Sequence, residues 1–88
     1  MERQVTIVST KTQKKYVFTS NAKTLGELKS EMTNLGIEYD NMEFLEGISG
    51  AKYISDNQVL PEKVQYRGTD RNDLIFLLSY TKEKIKLG

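Results

Sequence analysis

Asp70, Arg71, Asn72 and Asp73 set four polar side chains, two of them carboxylates, in consecutive positions. Clustered carboxylates can hold a hard cation, but "DRND" has neither the spacing nor the length of a calcium loop and reads as a turn. Most other groups that do chemistry near neutral pH are missing. The chain has no cysteine, so it has no disulfide, thiol nucleophile or thiolate metal site. It has no histidine, so the usual general base and the commonest metal ligand are both absent. A zinc site is therefore not expected. Serines are present, but no G-x-S-x-G, P-loop or G-x-G-x-x-G motif surrounds them. The expectation is a non-enzymatic protein with no catalytic residues, no cofactor and no metal.

The elements that position the remaining residues must fit into one small domain. Eighty-eight residues bury roughly 60–65% of the unfolded chain's surface. A hydrophobic fraction of 38% and a charged fraction of 28% are ordinary for a soluble globular domain. No apolar run approaches the roughly 20 residues that span a bilayer, and "MERQVTIVST" lacks the apolar core of a signal peptide, so a cytoplasmic protein with no membrane partner is expected. The net charge is only +1, but its distribution is uneven. Residues 1–23 carry five basic and one acidic side chain, residues 24–62 two basic and eight acidic, and residues 63–88 six basic and three acidic.

Alternation in "QVTIVS", with Val5 and Ile7 on one face and Thr6 and Val8 on the other, predicts a strand. The polar "TKTQKK" and the aromatic, β-branched "YVFT" complete a β-hairpin. Thr24 and Glu27 form a capping box at the start of a helix over 24–35, where Leu25, Leu28, Met32 and Leu35 make one core-facing stripe and Gly36 a left-handed stop. Gly26 looks like a small local penalty in the first turn. "MEFLE" and "AKYIS" predict two shorter strands around the bend "GISG", and "VQYRG" a further short strand or a loop. "DLIFLLS" is apolar on both faces, as a central strand is. Within it Leu74, Phe76 and Leu78 should face the helix, leaving Ile75 and Leu77 outward beside Val8.

This β-β-α-β-β-β order, with the helix start "TLGELK" after a hairpin and an apolar strand near the end, resembles the β-grasp fold of ubiquitin-like proteins. The end "YRGTDRNDLIFLLSYTKEKIKLG" also looks like small ubiquitin-like proteins of phages and mobile elements. The resemblance implies an α+β domain over 1–81, with a mixed four- to five-stranded sheet and one helix on one face, followed by a tail over 82–88. It makes the first and last strands parallel neighbours, bringing the two basic segments together. Three functions are then open. The preferred one is a protein-binding module, an adaptor or inhibitor, using Val8, Ile75 and Leu77 with a basic rim of Lys11, Lys14, Lys15, Lys82, Lys84 and Lys86; self-association through that face is a variant. The second is a ubiquitin-like modifier or carrier acting through Gly88, although such tails usually end in Gly-Gly and this one ends in Leu-Gly. The third and least favoured is a nucleic-acid accessory protein using the basic side, with Tyr16 and Phe18 as stacking groups.

Overall fold

The computed structural model describes residues 2–80, and within them the last strand lies at the centre of the sheet. The elements are β1 (Arg3–Ser9), β2 (Lys14–Ser20), α1 (Leu25–Asn34), β3 (Met42–Glu46), β4 (Lys52–Tyr53), β5 (Val64–Tyr66), β6 (Thr69–Arg71) and β7 (Leu74–Tyr80). Five strands form one sheet in the order β2-β1-β7-β3-β4. The β1–β7 pair is parallel and the others antiparallel, so the sheet is mixed. With one helix packed against it, the chain has the α+β, β-grasp-like arrangement expected from the sequence. The boundary at 81 and the tail over 82–88 lie outside the described residues.

The core sits between α1 and the face of the sheet defined by alternate residues. Leu25, Leu28 and Met32 from the helix meet Val5 and Ile7 of β1, Phe44 of β3, and Leu74, Phe76 and Leu78 of β7, all buried. Phe76 stacks edge-on against Phe44 at 5.9 Å and against Tyr53 at 5.4 Å. The Thr24 hydroxyl accepts from Glu27 N at 3.2 Å, while the Glu27 carboxylate reaches past the cap to Lys23 N at 2.7 Å. The helix stripe is one residue shorter than expected. Leu35 is the C-cap and is 54% exposed; Ile37, only 4% exposed, takes its place in the core. The cause is a Schellman-type stop. Gly36 adopts φ +77°, and the Ile37 N–H folds back onto the Met32 carbonyl at 2.9 Å.

Of the two readings of "VQYRG", the short strand is the one that forms, and it pairs with β6 in a separate two-stranded ribbon. Two further expectations are corrected. Asp70 and Arg71, expected in a turn, therefore lie in a strand, and the turn is Arg67–Gly68, at φ +54° and +79°. Two successive positive φ values suit the twist of a tight hairpin, and the Arg-Gly pair lacks the usual Asn-Gly signature. The "AKYIS" strand contracts to Lys52–Tyr53.

Candidate functional site

Alternation gives the sheet a second face, directed away from α1. Cross-strand register assembles it: Val8 is opposite Leu77, and Leu77 is opposite Leu45 on its other side. One step along, Thr6 lies between Val17 and Ile75. Val8, Leu45, Ile75 and Leu77 are partly exposed and Val17 is 53% exposed, so four neighbouring strands contribute to one apolar surface. Such cross-strand apolar pairs stabilise the sheet that presents them. Its charged neighbours are Lys15 on β2, opposite Val8, and the Glu43–Lys52 ion pair at 3.7 Å.

Gly47 lets the chain after β3 approach β7 closely beside this surface. Its N–H donates to Ile75 O at 2.6 Å, and a Cβ at this position would lie 3.0 Å from Ile75 Cγ2 and 3.2 Å from Ile75 O. Glu46 fixes the turn that holds Gly47 there. Its side chain is 1% exposed, and Oε1 accepts from Ile48 N, Ser49 N and Ser49 Oγ at 3.1, 2.7 and 2.8 Å. Its Oε2 is buried with no hydrogen-bond partner among the described residues. Sequence reasoning did not single out Leu45, Gly47 or Glu46. The signal for Glu46 was available, since alternation in "MEFLE" puts it on the same face as Met42 and Phe44.

The structure brings Val8, Ile75 and Leu77 together as the alternation indicated, but it scatters the expected rim. Of the described rim lysines, Lys15 alone is on the open face. Lys14 pairs with Ser9, whose side chain is buried on the helix side. Lys11 extends to Glu38 at 2.5 Å, and that hydrogen bond raises its pKa above the ordinary lysine value. Lys82, Lys84, Lys86 and Gly88 lie outside the described residues. The stacking role expected of Tyr16 and Phe18 needs free rings, yet both are partly buried against the core. No described tyrosine covers the open face either. Tyr16, Tyr39 and Tyr53 pack against the helix-side core, Tyr66 is in the ribbon, and Tyr80 has the alternation of Phe76 and Leu78. Among the described residues no three carboxylates gather to hold a metal, and no helix is long and apolar enough to cross a membrane. In comparisons with known proteins, no family model and no curated sequence matches the chain.

Proposed function

We propose that this chain is a small, non-enzymatic, ubiquitin-like protein-binding module, an adaptor or inhibitor that engages its partner through the sheet face opposite α1. The observation that carries this reading is the Val8–Leu77–Leu45 row running across β1, β7 and β3 with Ile75 beside it, partly exposed on the face away from the helix. A contiguous apolar surface on a small domain is costly to leave in water and more often marks a contact than a decoration. It has the form of an apolar centre within polar edges, here Lys15, Thr19, Gln4 and the Glu43–Lys52 pair.

The test compares adjacent residues on opposite faces of β7. Leu77→Glu should fold, as judged by a cooperative thermal transition, and should lose binding to any partner captured by the wild type, or lose concentration-dependent self-association. Phe76→Glu should not fold, because an unpaired charge would enter the centre of the core. A Leu77→Glu protein that folds and retains every interaction of the wild type would refute the reading.

A further inference from the structure

At the end of the sheet where β1 and β7 begin and β2 stops, the segments 21–23 and 59–63 enclose a cavity of about 390 Å³. A short ladder holds its walls: Thr24 bridges Val59, and Leu60 N donates to Lys23 O at 2.8 Å. Arg3 fastens the other side, with Nη1 donating to Pro61 O at 2.6 Å and Glu62 O at 3.3 Å. Ala22, Leu60 and Val59 supply apolar lining, and Arg3, Lys23 and Lys63 supply three positive charges. Glu62 is the one acidic residue lining it.

Among the described residues, ion pairs occupy Lys11, Lys29, Lys52 and Arg71; Arg3, Lys23 and Lys63 have none, as is also true of Lys14, Lys15 and Arg67, but the first three line one cavity. Burial lowers the pKa of Arg3 from its ordinary value, partly opposed by the field of Glu62. Three unpaired cations around an apolar lining complement a molecule with the opposite charge at one end and hydrocarbon at the other.

We propose that this cavity is a binding site for a small aliphatic carboxylate, whose hydrocarbon lies on Ala22, Val59 and Leu60 while its carboxylate is held by Arg3, Lys23 and Lys63. The same chemistry is offered by a free short-chain acid and by an aliphatic residue at the C-terminal end of a partner chain. The site is separate from the open sheet face and does not depend on the function proposed for it.

The experiment is a titration of the isotopically labelled full chain with hexanoate, hexylammonium and N-acetyl-leucine, followed through the backbone amide resonances of Ala22, Lys23, Leu60 and Lys63. Ligands of this size should saturate with Kd of about 1 mM. Hexanoate or N-acetyl-leucine should shift these resonances saturably and hexylammonium should not. Tighter binding of hexanoate identifies a free acid as the source, and tighter binding of N-acetyl-leucine identifies a chain terminus. The exposed substitutions Lys23→Glu and Lys63→Glu, made together, should weaken binding about tenfold or more with the thermal transition retained, because they leave the bonds of Arg3 to Pro61 and Glu62 in place. Saturable shifts from neither acid, equal shifts from hexylammonium, or acid binding unchanged in the double variant would each overturn the assignment.

Discussion

Glu46 occupies a strand position where alternation calls for an apolar side chain, and its value lies in the turn that follows. Three donors converge on Oε1, so truncation leaves the Ile48 and Ser49 N–H groups without their acceptor. Glu46→Ala should lower unfolding free energy by about 2–3 kcal/mol, and Glu46→Gln by less than about 1 kcal/mol because the amide oxygen can replace Oε1. Urea titrations of the two variants check this, and equal losses would show that the carboxylate charge matters more than the acceptor. Tyr53 gives the residue-scale pH dependence. Burial first, then the negative field of Glu46, raise its pKa above 10.0, with Arg3 opposing. The native state therefore keeps the phenol proton at a pH where the unfolded chain has begun to release it, so stability falls as pH rises beyond the ordinary tyrosine value. Tyr53→Phe should show a smaller loss of urea midpoint between pH 8 and pH 11 than the wild type. An identical loss would place the alkaline transition on other groups.

The helix shows how local rules and packing divide the work. Its start, its stripe through Met32 and its glycine stop were legible in the sequence because each depends on residues within one or two turns. The periodicity of the stripe carries it to Leu35, the C-cap, but Gly36 reverses the chain there, and Ile37, two positions after the cap, enters the core instead. Gly26 was legible only as a cost. Its reason is tertiary: its N–H donates to Asp56 O at 2.9 Å, and a Cβ would lie 3.0 Å from Asp56 Cβ and 3.1 Å from Asp56 O. Gly26→Ala, ordinarily stabilising inside a helix by about 0.5–1 kcal/mol, should here destabilise by about 1 kcal/mol, a reversal of sign readable by thermal melting. Leu28→Asp should abolish the transition altogether, since Leu28 is fully buried among the sheet residues. On the sheet, the face of Val8, Ile75 and Leu77 was legible from period two, and their adjacency from the β-grasp resemblance that pairs the first strand with the last. Leu45 and Gly47 were not, because alternation says which face a residue occupies but not which strand pairs beside β7. For a similar reason β5 was legible only as a strand or a loop and β6 not at all: three-residue strands of mixed polarity have too little periodicity to separate from a loop.

At the scale of the whole molecule, the described lysines of the two basic segments do not gather on one side of the sheet. Lys11 crosses to Glu38, Lys14 has the helix-side alternation, and three of the described cations without an ion pair, Arg3, Lys23 and Lys63, collect at one end of the sheet. Segment charge was a poor guide because adjacent strand residues point to opposite faces. The order of assembly, by contrast, follows directly from topology. β7 lies between β1 and β3, so the hairpin at the start of the chain and the strands after the helix have no connection within the sheet until the last strand is placed. The parallel Val5↔Leu74 and Ile7↔Phe76 pairings close nearly the whole chain before any contact rewards the closure. A fragment ending at Asn72 would lack both neighbouring ladders and the buried Leu74, Phe76 and Leu78, although it retains α1 and the first hairpin. Losing three large core side chains removes about 5–9 kcal/mol of burial, comparable to the whole stability of a domain of this size. The fragment should therefore show no cooperative thermal transition and only residual helical signal, and adding a peptide spanning residues 73–80 should restore the transition in a concentration-dependent way. A cooperative melt from the fragment alone would mean that the hairpin and helix form a core without β7, and that the central strand completes the fold rather than creating it.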